Sequence, residues 1–209
     1  MIVNKRKQRK AAFFISKMRI ERKFYLQPTL TVAKELLGKY LVRRIGGRKK
    51  IAKIVETEAY IAPRDKASHA YGGRKTPRNA PLYLKGGHTY IYLCYGIHWL
   101  FNIVTGQKEV PECVLIRAVE PLVKNKQELV ALRNLTNGPA KLCRWLNIDY
   151  DLNGKDLVTS RVFWIEDRGE IIKSNLIVAS TRIGVDYAEE WANKPWRFYL
   201  RDNKFVSRK

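Results

Sequence analysis

The sequence predicts an α+β fold, with one compact domain built on a mixed, largely antiparallel sheet and flanking helices. Three observations predict it. A chain of 209 residues that is 45% hydrophobic suits one core. Its apolar runs are short and bounded by Gly and Pro, and the helical patterns are too few to alternate with them as βαβ units would require. No internal repeat is visible.

The elements follow in chain order. Residues 1–23 carry nine Lys and Arg against one Glu and read as a basic, loosely ordered arm, which leaves 24–209 as the folded domain. T-L-T-V-A-K-E-L-L-G from Thr29 reads as a short helix capped by Thr29 and stopped by Gly38. Lys39–Ile45 and Lys50–Ala59 read as strands of a hairpin turning at Gly46-Gly47. Period two on the second strand sets Ile54, Glu56 and Glu58 on one face. Tyr60–Gly87, rich in Gly, Pro, Asn and charge, reads as a long ordered loop of the kind that carries function. Thr89–Cys94, Leu100–Val104 and Cys113–Val119 are the next strands. Gln127–Leu135 and Gly138–Leu146 are helical by pattern, the second opening on Pro139. Val162–Ile165, Ile177–Ser180 and Trp196–Tyr199 complete the strands.

Charge points to the partner. With 41 Lys and Arg against 19 Asp and Glu, the formal net charge of +22 suits a polyanion, nucleic acid before anionic membrane. No apolar run approaches the roughly 18 residues of a membrane span, and Ala11–Ile15 is too short for a signal-peptide core. The expectation is a soluble intracellular protein, at the nucleoid in a bacterial cytoplasm or in a eukaryotic nucleus. Cys94, Cys113 and Cys143, odd in number and scattered, read as reduced thiols, and three histidines without a CxxC pair form no metal-ligand cluster.

The chemistry concentrates between Glu56 and Trp99. E-T-E-A-Y sets carboxylates beside an aromatic at a strand end, where a glutamate can be a general base if it reaches a water, or simply a solvated edge-strand residue. His69, the run R-K-T-P-R-N at 74–79 and Y-I-Y-L-C-Y-G-I-H-W at 90–99 add π-faces and guanidinium groups. A pocket for an unstacked base needs such faces on both sides, and phosphates need arginines and amides.

At these residues the chain resembles the single-domain alkyladenine DNA glycosylases, also called 3-methyladenine or N-methylpurine glycosylases. The likeness runs from about Phe24 to Ser207 and rests on I-V-E-T-E-A-Y, D-K-A-S-H-A-Y-G-G-R-K-T-P-R-N, Y-I-Y-L-C-Y-G, V-L-I-R-A-V-E-P-L, N-G-P-A-K-L and R-I-G-V-D-Y-A-E-E-W-A-N-K-P-W-R-F-Y, in that order. The resemblance implies hydrolysis of the N-glycosidic bond of alkylated or deaminated purines (3-methyladenine, 7-methylguanine, hypoxanthine, ethenoadenine) in double-stranded DNA. It implies a monomer that uses no cofactor or metal and leaves an abasic site without cutting the strand.

It also implies roles. Glu58 deprotonates the attacking water, which Arg117 and the backbone carbonyl of Ile183 help to hold. Tyr60 stacks on one face of the flipped base, with His69 and Tyr92 against the other, and a backbone group of His69 meets the base edge. Asn102 stands against the purine 2-position, and Tyr95 fills the gap left in the duplex. Arg74, Thr76, Arg78 and Lys141 contact the DNA backbone. Arg117 pairing with Glu56 or Glu120, His69 as a loop residue and Lys141 as a helix-face charge are the plainer alternatives. Ile97 and His98 depart from the family pattern, which more often has methionine and an aromatic after Y-G, and this puts lesion preference in question. Two other classes stay open. One is a non-catalytic basic nucleic-acid-binding module. The other is a nuclease holding Mg²⁺ through Glu56, Glu58 and Asp65.

Overall fold

The computed structural model describes residues 18–208. Its strands are β1 (Met18–Arg19), β2 (Tyr40–Ile45), β3 (Arg48–Ile61), β4 (Thr89–Cys94), β5 (His98–Thr105), β6 (Glu112–Pro121), β7 (Phe163–Asp167), β8 (Ile177–Ser180) and β9 (Arg197–Leu200). The helices are α1 (Arg22–Tyr25), α2 (Thr29–Glu35), α3 (Lys126–Thr136) and α4 (Pro139–Leu146). The strands form one sheet in the order β1-β7-β2-β3-β6-β5-β4, with β9 pairing both β3 and β8. All of these pairings are antiparallel, as expected for an α+β chain whose strands follow one another without crossover helices. Val32 and Leu36 of the α2 segment and Leu142 and Leu146 of α4 close over one face of the sheet, joining Ile54, Phe101, Ile116 and Ile165 in the main core. Each such aliphatic side chain contributes about 1.5–3 kcal/mol by leaving water.

Most predicted elements are found within a few residues of their expected ends. The β2–β3 hairpin turns at Gly46 and Gly47 with φ of 52° and 78°, the doubly left-handed turn that matches strand twist and that glycine adopts freely. Pro139 opens α4, and α3 has a cap the sequence reading did not name, Asn125 Oδ1 accepting from the Glu128 amide at 2.7 Å.

Three expectations are corrected. Thr29 does not cap α2: its hydroxyl is drawn into the core, 2.7 Å from Thr105 Oγ1 and donating to Glu112. Of the arm expected at 1–23, residues 1–17 lie outside the described residues, but 18–23 belong to the domain. Met18 and Arg19 pair with β7, Ile20 is buried, and Arg22 donates to Gly86 O at 2.6 Å and Asp156 Oδ2 at 2.5 Å. The third concerns β3. Ala52 and Ile54 sit in the core, and so does Ala59, while Thr57 donates to Ala33 O at 2.8 Å. The side-chain parity therefore changes between Ile54 and Thr57. Its cause is a pair of register shifts against β6, one between Ile54 and Glu56 and one between Glu56 and Thr57, leaving Val55 and Arg117 without Cα partners. Unbroken alternation would have put Glu56 and Glu58 on the core side with Ile54. The bulge turns both glutamates out of the core, toward Arg117.

Candidate active site

A cleft of about 460 Å³ opens where β3, β4, β5 and β6 meet the loop after β9's partner strand, a size that suits a small ligand or one base. Tyr60, His69, Tyr90, Tyr92, Asn102 and Ile183 are among its walls, with Arg117 at its base. Tyr60 comes from the end of β3, Tyr92 and Asn102 from the paired strands β4 and β5, and Arg117 from β6. The expected aromatic residues are therefore brought together.

Part of the cleft wall is a packed aromatic unit. Tyr90 and Tyr92 stack with centroids 5.4 Å apart, and His69 meets Tyr92 edge-on at 4.5 Å with its Nδ1 2.7 Å from the Tyr90 hydroxyl. Desolvation at this wall, then the positive field of Arg78, hold the His69 pKa down to about 4, although its outer edge keeps solvent access. Burial likewise raises the phenols of Tyr90 and Tyr92. The His69 carbonyl accepts from Asn79 Nδ2 at 2.9 Å, so that backbone oxygen is already engaged. Asn102 is buried, donating to Tyr90 O at 3.2 Å.

Behind the cleft wall lies Glu58, which has no solvent exposure. Its Oε1 accepts from the Ile183 amide at 2.8 Å, and its Oε2 from the Tyr60 hydroxyl at 2.9 Å and Arg117 Nη1 at 3.1 Å. Burial, then the adjacent Glu58 charge, push the Tyr60 phenol well above its ordinary value, so it is a donor here. Ile183, whose carbonyl was expected to hold the attacking water, also holds Glu58 itself through its N–H. Arg117 is shared: its Nε lies 3.4 Å from Glu56 Oε1, the pairing held as the plainer alternative, while Nη1 holds Glu58.

Glu56 has a separate task. It binds Arg197 Nη1 at 2.9 Å and accepts from the Ser207 amide at 2.7 Å, tying β9 and the C-terminal segment to β3. Asp65 forms a two-pronged pair with Arg182, at 2.5 and 2.8 Å, with both side chains fully buried. The three carboxylates a nuclease metal would require are thus each committed to an arginine, which is poor chemistry for a divalent cation.

The remaining expected residues are outside the cleft or at its rim. Tyr95, 91% exposed with φ of 50°, stands at the tip of the β4–β5 turn, beside exposed Ile97. A bulky residue held in the left-handed region costs roughly 1–3 kcal/mol and is a mark of functional positions. Arg74, Thr76 and Arg78 line a neighbouring groove, and Arg78 also lines the cleft, 5.6 Å from the Tyr92 ring. Asn79 shapes that groove by bonding the Thr76 amide and the Arg74 carbonyl. Lys141 is exposed on α4, donating to Asn137 Oδ1 at 3.0 Å, and lines neither the cleft nor the groove. Sequence reasoning missed Arg182, whose guanidinium lies 4.8 Å from the Tyr60 ring and 5.2 Å from Trp196 while donating to the carbonyls of Ala59 and Trp191. Nothing local marked it: Thr181 and Gly184 around it read as loop, and its partner Asp65 is 117 residues away.

A base-sized aromatic cleft, lined by an arginine that holds a buried carboxylate behind the wall, in a strongly basic chain, defines an enzyme of nucleic-acid base chemistry. Residues 23–204 match the model of a family described as methylpurine-DNA glycosylase. A protein of Clostridium perfringens strain SM101, provisionally named 3-methyladenine DNA glycosylase, is 48% identical over 205 residues, covering 92% of this chain and 100% of the relative. Proteins with the same name from Desulfitobacterium hafniense strain Y51 and Borreliella burgdorferi strain ZS7 are each 46% identical, covering 90% and 91% of this chain and 98% and 100% of their own lengths. The chain belongs to the methylpurine-DNA glycosylase family. Its partner is DNA, and its reaction class is hydrolysis of the bond between a purine and its sugar.

Proposed function

We propose that this enzyme, acting as a monomer, turns damaged purines out of duplex DNA into the cleft and excises them, with 3-methyladenine, 7-methylguanine, hypoxanthine and ethenoadenine as its substrates. Glu58 is the general base. Water attacks C1′ of the deoxyribose, its proton passes to Glu58, and the N-glycosidic electron pair leaves with the purine, giving an abasic site in an uncut strand. Arg117 holds the water's side of the carboxylate. Tyr60 and the His69–Tyr92 wall replace the stacking that the extruded base loses, worth about 1–3 kcal/mol per base. Selectivity follows from lesions that pair poorly and leave easily, while Asn102 disfavours the 2-amino group of guanine.

The observation that carries this reading is the position of Glu58: one carboxylate, held by three donors, directly behind a wall of base-stacking side chains. No lysine of the described residues lines the cleft, which favours water over an amine as the nucleophile. The test is a duplex with one hypoxanthine or ethenoadenine, incubated in EDTA and then heated in alkali. Strand breakage is expected only after alkali. Glu58→Gln is expected to bind the lesion and lose nearly all excision. Breakage before alkali, or single-turnover excision by Glu58→Gln within about tenfold of wild type, overturns the assignment.

A further inference from the structure

Far from the cleft, the outer face of the sheet carries cations that the reaction does not use. Val42 of β2 pairs with Trp164 of β7, Arg44 pairs with Lys49 of β3, and Arg19 of β1 pairs with Glu166. Period two then places Arg19, Arg44 and Lys49 on the same face as Trp164. Their charged groups lie 4.9, 5.6 and 5.2 Å from that ring, covering it so that only 5% remains exposed. Arg48 adds an exposed charge at the hairpin end. The carboxylate nearest this cluster, Glu166, is bound by Arg168 at 2.7 Å and by the Trp164 Nε1–H at 2.9 Å. Among the described residues, no acid comes within ion-pair distance of Arg19, Arg44, Arg48 or Lys49. The other end of the same strands differs, since Lys53 there meets both Glu120 and Glu170.

Packing on Trp164 anchors these cations but leaves them without ion-pair partners, an arrangement that suits a surface that meets a polyanion. From Lys49 to Glu58 the chain runs nine residues along an extended strand, about 30 Å at roughly 3.3 Å per residue. The cleft end of β3 and this cluster are therefore separate stretches of the sheet, and a duplex shorter than that distance cannot cover both.

We propose that the face formed by Arg19, Arg44 and Lys49 around Trp164, with Arg48 beside it at the hairpin end, binds a second segment of double-stranded DNA while the cleft holds the first. The enzyme then contacts two duplex segments at once, and this lets it pass between them during search. This inference rests on DNA as the partner and is independent of the role given to Glu58.

The experiment uses two undamaged hairpin-closed duplexes of about 8 base pairs, roughly 27 Å long at about 3.4 Å per base pair and so too short to span from cleft to hairpin, one labelled with a donor and one with an acceptor dye, at about 50 mM salt. The full-length wild-type chain is expected to bring them together and give energy transfer. Arg44→Gln/Arg48→Gln/Lys49→Gln is expected to weaken that bridging at least tenfold and to flatten its log–log salt slope by about 2–3, at about 0.9 per phosphate contact. Single-turnover excision at saturating enzyme stays unchanged. Because the triple variant uncovers Trp164, Arg48→Gln/Lys49→Gln is measured beside it and is expected to lose part of the bridging, whereas Arg44→Lys/Arg48→Lys/Lys49→Arg retains it. Wild type holding only one duplex, the glutamine variants bridging as well as wild type, or capture of phosphatidylserine vesicles in place of the second duplex would each overturn the proposal.

Discussion

Replacing Asp65 by Asn tests whether the buried Asp65–Arg182 pair holds up the Tyr60 side of the cleft. The carboxylate engages both terminal nitrogens of Arg182 and also accepts from the Ile61 amide at 3.2 Å and the Ala67 amide at 3.0 Å, so it fixes the chain's exit from β3. Asparagine keeps the shape but turns an N–H toward a guanidinium that has no exposure with which to reach water. Breaking a buried pair from one side costs about 3–5 kcal/mol. Against a total stability of about 5–15 kcal/mol this is a large loss. With a urea dependence of about 2–3 kcal/mol per molar, the unfolding midpoint falls by roughly 1–2 M. Asp65→Asn/Arg182→Met removes the stranded charge, and the double variant is expected to recover part of the loss, with a coupling energy of about 2–3 kcal/mol. Excision per folded molecule also falls, because Arg182 packs on Tyr60 and precedes the Ile183 amide that holds Glu58. A single-variant loss below about 1 kcal/mol, or strictly additive losses, would refute the argument.

Two further predictions follow from the site. Tyr95→Ser removes the exposed ring at the β4–β5 tip, so fluorescence of an ethenoadenine lesion is expected to report a smaller flipped fraction while affinity for undamaged duplex holds; unchanged fluorescence on binding contradicts it. For His69 the folded pKa, about 4, lies below the unfolded value of about 6.5, so the unfolded chain takes up the proton first. Its contribution is intact above pH 6.5 and is lost as pH falls toward 4. His69→Asn is therefore expected to lose less stability than wild type between those values in urea titrations, and parallel pH curves would count against this.

Much of the fold was legible because it is encoded locally. The Gly46-Gly47 turn, the Thr89–Cys94 and Ile177–Ser180 strands and the proline that opens α4 each carry their signal within a few residues. What was not legible depends on partners distant in the chain. The β3 bulge arises from pairing with β6, and nothing in Val55 or Arg117 alone marks them as the residues left without partners. Thr29 has the identity of a helix cap, but Thr105 and Glu112 offer its hydroxyl better partners. Met18, Arg19 and Arg22 belong to a charged stretch that composition assigns to solvent, and only β7 and Asp156 make them part of the domain. In the site, residue types and motif order were enough to collect the aromatic walls, Glu58 and Arg117. The Arg182–Asp65 pair, separated by 117 residues, was not visible from either side.

The two glutamates of E-T-E-A-Y show how position divides identical side chains into different tasks. Both are fully buried and both touch Arg117. Glu56 spends its oxygens on Arg197, Arg117 and the Ser207 amide, all of them structural ties, and points toward β9 and the chain's end. Glu58, two residues on, takes its donors from Tyr60, Arg117 and Ile183, and all three of these also line the cleft. A carboxylate offers about four acceptor positions, so three donors leave one for a water entering from that side. Each of the three partners donates, which keeps Glu58 an acceptor and orients it without competing for the proton it is proposed to take. The chain therefore separates holding the sheet together from bonding to the cleft's lining residues by one period of a strand's alternation, and that alternation is set by the bulge at Val55.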